Sequence, residues 1–566
     1  MDIGLEFPKG ILRPELLMGT IHTVGAYSVL VNLTDAGAPS GSYYQGGRYG
    51  KGEVGEFVVI EGQVNLVLGR VIEVKKDDLS KIKNDALGKI QLLGSISMET
   101  LQVSPGVDSY PRLGDRVYAA PHKLVAKIPE LMDIDKVNPV TISIGYVDLV
   151  QESQVMVKPE KLFGRHLAIL GSTGGGKSWT TAKIIEECLR FNSKLILLDA
   201  TGEYRNLKSN SIEHVHLSEP VNPAENSKPC KLSPESFQES DFLALFEPSG
   251  KVQGPKFKEA IKSLRIAKLA PDLFPEGYIL KIEQSKDNFK KAISRTELFN
   301  NIDNPRIPFD VLEIAKQIEQ ECVYPNGGYA RNPDETTWGA QDSSSYSNCL
   351  SLITRINSII TSSAFQCVFG SVESESLPTI IDNFLKGDTK LLRIDLSGVS
   401  FEYKAREIIS NVIGRYLLTL ARKSKFSTKP LIIILDEAHN FLGKHIGGED
   451  TLAKLDAFEL IAKEGRKFGL NICLATQRPR DITEGVLSQI GTMIVHRLTN
   501  DRDREVVERA SGEIDRAASS FLPNLRPGEA VIIGNDFPIP LTIQIGTPTT
   551  RPQSSGADFQ AAWKNP

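Results

Sequence analysis

The chain has no cysteine pair at C-x-x-C spacing. Its six cysteines (Cys188, Cys230, Cys322, Cys349, Cys367, Cys473) are widely scattered, which argues against a disulfide framework or a zinc site and for a reducing compartment, the cytoplasm. No run approaches the roughly 18 apolar residues of a membrane span. The opening MDIGLEFPKGIL lacks a basic stretch followed by an apolar one, so neither secretion nor membrane anchoring is expected. An excess of positive charge is also missing: 66 Lys and Arg against 70 Asp and Glu give a formal charge of −4. Any nucleic-acid contact must therefore be local, in a groove or a pore. What remains is ordinary globular protein, 566 residues with 40% hydrophobic and 24% charged, a length suited to about three or four domains.

The most informative stretch is GSTGGGKS, Gly171 to Ser178, which fits G-x-x-x-x-G-K-[ST]. It follows a strand-like HLAIL (His166 to Leu170) and precedes a helix-like segment, Trp179 to Leu189. Strand, glycine loop and helix together make a nest of backbone N–H groups at a helix N-terminus, which holds phosphate. Gly171, Ser172, Thr173, Gly174, Gly175, Gly176, Lys177, Ser178 and Trp179 are the expected nucleotide-binding residues. Lys177 would pair with the β- and γ-phosphates, and Ser178 would join the Mg²⁺ shell.

A second apolar run, LIIIL (Leu431 to Leu435), ends in Asp436-Glu437. In a parallel sheet the C-terminal strand ends face one crevice, so Asp436 is expected on Mg²⁺ and Glu437 on the attacking water. A third, NICLAT (Asn471 to Thr476), ends in Gln477, placed to sense the γ-phosphate; a structural glutamine satisfied by backbone is the alternative. Leu452 to Phe468 reads as an amphipathic helix closing with Glu464-Gly465-Arg466-Lys467. Lys444 and His445 are conceivable channel contacts, a solvated loop being the plainer reading.

Alternation of apolar strands with helices gives an α/β class with a parallel sheet. The boundaries drawn are a small N-terminal β-barrel over 1–130, a core over 131–205 and 391–545, a helical insertion over 206–390, and a mobile tail over 546–566. Helices are expected at Lys256 to Leu269, Ser345 to Thr361 and Glu402 to Arg422. Residues 40–55 interleave Tyr43, Tyr44, Arg48, Tyr49 and Lys51 with glycine, a solvated loop by preference, a base-stacking one by exception.

GSTGGGKS after GRHLAIL, DATGEY, LIIILDEAHNF, EGRKFG and LATQRP together resemble the HerA-type ATPases of the HerA and FtsK translocase group. The resemblance implies a RecA-like P-loop ATPase core using ATP and Mg²⁺, a homohexameric ring, ATP sites between subunits, and double-stranded DNA in a central channel. It puts Arg466 on the position of the arginine acting in trans and Arg165 on a second boundary arginine. It also implies a separate effector, sirtuin-like or a nuclease, in antiviral defence. The other readings are end resection in repair, an ATP-regulated scaffold that activates an effector, and a membrane-docked conjugation or secretion motor.

Overall fold

The structure, a computed structural model, describes residues 10–553 except 35–41, 45–46, 77–85, 134–138, 148–152, 296–301, 303, 305–306, 330–331, 371–372, 443–454 and 512–515, together with 559, 563 and 564. Lys444, His445 and Leu452 thus lie outside the described residues.

Six N-terminal strands close on themselves: β1 (Leu17–Val24), β2 (Ser28–Leu33), β3 (Phe57–Ile60), β4 (Asn65–Lys76), β5 (Ala86–Ser97) and β6 (Arg116–Ala119). Their neighbour order is β2-β1-β6-β3-β4-β5, and β5 pairs back onto β2. Closure removes the edges that β2 and β5 would otherwise expose, and Val103–Pro105 adds a short seventh strand on the end of β5. Val29, Val31 and Leu33 recur at the two-residue period of a strand and fill the interior with Val58, Ile60, Val67 and Val117. The tyrosine-glycine segment is not the solvated loop expected. Ser42–Tyr44 pairs with Gly47–Tyr49 as a hairpin, because Tyr49 is buried and its ring stacks on His122 with centroids 4.5 Å apart.

The central sheet contains β7 (Ile142–Tyr146), β8 (Gln154–Val157), β9 (Leu167–Leu170), β10 (Lys194–Asp199), β11 (Ile212–His216), β12 (Lys228–Lys231), β13 (Leu391–Asp395), β14 (Leu431–Leu435), β15 (Leu470–Thr476), β16 (Thr492–Val495), β17 (Glu529–Gly534) and β18 (Phe537–Ile545). In space they run β8-β7-β18-β17-β16-β9-β15-β14-β10-β13-β11-β12. From β16 to β12 every pairing is parallel; the flank from β8 to β17 is antiparallel. Both faces of the parallel part are covered. Ala168 and Leu170 of β9 enter one core while Leu167 and Ile169 enter the other, and β10 divides in the same way. Such strands read as unbroken apolar runs because neither face meets water.

Four further expectations need correction. The insertion is not helical throughout: β11 and β12 extend the parallel sheet, and Glu375–Ser376 pairs with β12. Two histidines hide β11 from a hydrophobicity reading, since His214 bonds the Leu207 carbonyl at 3.0 Å and His216 the Ser227 hydroxyl at 2.9 Å. Helices Gly250–Leu269, Ile314–Glu321 and Ser343–Thr361 follow and pack on the core below that end of the sheet. The helix expected from Glu402 starts at Ala405, because Tyr403 and Lys404 take positive φ (51° and 56°) and break it. The helix expected over Leu452 to Phe468 is, in its described part, Ala457–Glu464, then a tight 3-10 turn at Gly465–Phe468 that ends at Gly469 with φ 74°.

The last correction concerns the first part of the tail; residues 554–566, apart from 559, 563 and 564, lie outside the described residues. Residues 547–553 lie pinned along the helix that follows the glycine loop, with Pro548 and Pro552 buried. The Glu186 carboxylate accepts the Thr549 and Thr550 N–H groups at 2.9 and 2.7 Å, and the Glu203 carbonyl accepts that of Gln553 at 2.9 Å.

Candidate nucleotide site

The glycine loop leaves β9 and enters α1 (Lys177–Leu189) at Gly176, whose φ of 118° places it in the region glycine favours. Under the loop sits His496. A Cβ on Gly171 would come within 2.6 Å of the His496 side chain and one on Gly176 within 3.0 Å. His496 Nδ1 donates to the Glu529 carbonyl at 2.8 Å, so Nε2 accepts from the Thr180 hydroxyl at 2.7 Å. Burial pushes this imidazole down to about 4, with Lys177 adding to the fall. It is therefore a neutral floor tying the loop to α1 and β17. Lys177, first residue of α1, is 7% exposed and its Nζ reaches the Ser172 carbonyl at 3.3 Å. Burial lowers its pKa, while Glu437, Asp436 and Glu203 hold the charge on.

The acids come from neighbouring strand ends. β15 lies between β9 and β14, which brings Gln477, Asp436 and Glu437 beside the loop. Asp436 is 4% exposed and accepts the Thr201 and Tyr204 hydroxyls, both at 3.3 Å. Burial raises its pKa well above the carboxylate range, and Asp199, Glu203 and Glu437 add to the rise. Glu437 occupies φ 48°, an unfavourable backbone state for a non-glycine residue and one that collects at functional sites. Its Oε1 accepts from the Gln477 amide, whose own Oε1 accepts from the Thr173 hydroxyl. His439 Nδ1 lies 3.3 Å from Glu437 Oε2 and 3.2 Å from the Thr476 hydroxyl. Burial alone would raise the Glu437 carboxyl, but His439, Gln477 and Lys177 together bring it below the ordinary glutamate value. It is ionised at neutral pH. A P-loop threonine, a glutamine and the glutamate thus form one chain of contacts.

Glu203, in the DATGEY turn, is a site residue to which the sequence assigns no role. Asp199 accepts the N–H groups of Gly202 at 2.8 Å and Tyr204 at 3.1 Å, folding the turn back as aspartate side chains do. That turn carries Glu203 to the glycine-loop helix, where it meets Ser178. Burial raises the Glu203 carboxyl, and its Oε2 is buried without a hydrogen-bond partner. The turn is locked by Arg393, fully buried, which bonds Asp199 at 2.7 Å and Asp395 at 2.8 Å. The signal was there: an arginine inside the apolar strand LLRIDL demands buried acids. Glu203, Asp436 and Glu437 face Lys177, and the orphaned Glu203 oxygen suits a cation. Among the described residues no three His, Cys, Asp or Glu side chains form a metal cage. Mg²⁺, which keeps water and phosphate oxygens as ligands, needs none, and Ser178 and Asp436 fit it.

Arg165 and Arg466 are not in this site. Arg165 lies before β9, about 20 Å along the chain from Gly171 at strand rise, and it grips Asp536 with Nε at 2.9 Å and a terminal nitrogen at 2.6 Å. Arg466 is exposed in the turn before β15, on the same edge. Between them His166, at φ 62°, donates Nε2–H to the Ala462 carbonyl at 2.9 Å and accepts the Ile472 N–H on Nδ1 at 3.1 Å. Burial lowers its pKa, and the nearby Arg466 charge lowers it further.

Residues 142–416 match the family model described as Helicase HerA, central domain. A probable helicase of Methanocaldococcus jannaschii is 24% identical over 466 residues, covering 81% of this chain and 79% of that protein. The probable DNA double-strand break repair helicase HerA of the same organism is 27% identical over 424 residues, 74% of this chain and 78% of that one. The DNA double-strand break repair helicase HerA of Sulfurisphaera tokodaii is 25% identical over 432 residues, 75% and 73%. Among solved structures, the plasmid coupling protein TrwB in complex with ADP and Mg²⁺ overlays with a TM-score of 0.43 at 13% identity, over 75% of this chain and 93% of that one.

Proposed function

We propose, for a chain whose residues 142–416 match the model of the HerA helicase central domain, that it is an ATP-hydrolysing ring motor acting on double-stranded DNA. The observation that carries the reading is the convergence of Lys177, Glu437 and Gln477 at the C-terminal edge of the sheet while Arg165 and Arg466 stand at the opposite edge. Phosphoryl transfer asks for positioning and charge neutralisation, and these groups divide that work. The glycine-loop amides and Lys177 hold the β- and γ-phosphates. Ser178 and Asp436 would hold Mg²⁺, which neutralises charge on the phosphate oxygens when bound. Glu437 orients the attacking water in line with the γ-phosphorus and takes its proton. Gln477 links that carboxylate to Thr173 and so reports whether a γ-phosphate is present. Arg466, with Arg165, would reach a neighbouring protomer's site and stabilise the transferred phosphoryl group.

Ring assembly as a homohexamer and a separate effector, sirtuin-like or a nuclease, belong to the same proposal. The effector and its place in antiviral defence rest on the sequence resemblance alone; repair fits the same motor. ATPase measurement with and without duplex DNA tests the reading. Duplex DNA is expected to raise turnover several-fold. Glu437→Gln should keep nucleotide binding and lose about 10²–10⁴-fold in rate, the worth of a general base. A Glu437-dependent rate indifferent to duplex DNA favours the ATP-regulated scaffold instead.

A further inference from the structure

The cavity at the glycine loop, about 430 Å³, extends past Lys177 and Ser178 to Trp179, Gly528, Gln544 and Thr547. Lys177 marks the γ-phosphate end, and Trp179 follows Ser178 at the other. The nucleoside of any bound triphosphate must lie over this second wall. The wall is built from the end of β18 and the pinned segment after it. That segment is anchored at both ends: Gly546 N–H bonds the Ile144 carbonyl at 2.9 Å, and Gln553 N–H bonds the carbonyl of Glu203, whose side chain meets Ser178. Between the anchors the Arg551 guanidinium lies 5.6 Å from the centre of the Trp179 ring. An arginine set against an indole makes a flat shelf at modest cost.

Gln544 supplies the remaining chemistry. Its side-chain amide makes no hydrogen bond among the described residues, and it lies over Gly528, where a Cβ would come within 2.6 Å of Nε2. Glycine at φ 81° keeps that space open. A carboxamide offers a donor and an acceptor side by side. Adenine answers with its N6 amino group and N7, whereas guanine presents two acceptors, O6 and N7, on the same edge.

We propose that residues 544–553 form the nucleoside half of the site, with Gln544 selecting adenine over guanine and Arg551 on Trp179 forming the shelf for the base. The proposal rests on the glycine loop holding a nucleoside triphosphate. Calorimetric titration of the full chain with ATP, GTP and inorganic tripolyphosphate, each with Mg²⁺, separates the two. In Gln544→Ala, ATP should weaken about tenfold or more, the worth of a bidentate base contact, with GTP and tripolyphosphate unchanged. Gln544→Glu, which keeps shape and the acceptor but loses the donor, should narrow the ATP preference as well. Arg551→Ala should weaken both nucleotides and spare tripolyphosphate. An unchanged ATP to GTP ratio in both Gln544 variants overturns the base assignment. Parallel loss of tripolyphosphate in Arg551→Ala overturns the shelf. Failure of the wild-type chain to bind tripolyphosphate overturns the nucleotide reading, and this proposal with it.

Discussion

His496 shows how a phosphate loop with little side chain of its own is held in place. It is fully buried, and its two nitrogens are committed to the Glu529 carbonyl and the Thr180 hydroxyl. Protonation would place a donor against that hydroxyl and a charge near Lys177, so the folded state resists it and the pKa falls from 6.5 to about 4. The sign follows directly. In the unfolded chain this histidine takes up a proton near 6.5 and in the folded chain only near 4, so acidification through that window favours unfolding. The stabilising difference is present above 6.5 and lost as pH falls towards 4, about 3 kcal/mol at the limit. Thermal unfolding followed from pH 7 to 4.5 should therefore show a steeper fall for wild type than for His496→Gln. His166 and His214, also lowered by burial, leave the variant part of the slope. Equal slopes would mean that His496 is not the neutral floor described. Nothing near residue 496 in the sequence announces this role, because the residues it supports lie more than three hundred positions earlier in the chain.

At the level of elements, the sequence is most readable where function and burial coincide in one contiguous stretch. HLAIL, LIIIL and NICLAT are buried strands, and the residues that follow each of them line the nucleotide crevice. Their legibility comes from the doubly covered parallel sheet, which makes a strand apolar throughout and its C-terminal exit polar. Elements held by polar contacts were obscured. β11 depends on two bonded histidines, the Glu203 turn on Asp199, and the strap over α1 on Glu186 and two buried prolines. The turn yields a test. Arg393 compensates Asp199 and Asp395, all three about fully buried. Removing one member of such a group leaves unpaired buried charge and costs about 3–5 kcal/mol. Arg393→Met should lower the unfolding midpoint and, by loosening the turn that presents Glu203, weaken Mg²⁺-dependent nucleotide binding. A midpoint within a degree or two of wild type would show that the acids are neutralised in some other way.

For the whole molecule the arrangement that matters is directional. Every strand from β16 to β12 points the same way, so the sheet has a phosphate edge with Lys177 and Glu437 and an arginine edge with Arg165 and Arg466. Asp536 and His166 set the arginine edge as firmly as His496 sets the other. A surface whose complement lies on the opposite edge makes head-to-tail contacts, which close into rings when the rotation permits. Mixing two inactive variants tests this geometry. Lys177→Ala lacks the phosphate clamp and Arg466→Ala the arginine, so each alone should hydrolyse ATP at a small fraction of the wild-type rate. Reassembled at equal proportions, random neighbours join an intact Lys177 to an intact Arg466 at about a quarter of junctions, as head-to-tail assembly requires. Activity should recover towards that level in the mixture, and nucleotide binding should persist in Arg466→Ala alone. If the mixture stays as inactive as its parts, or Arg466→Ala hydrolyses normally, the arginine edge does not complete a neighbour's site.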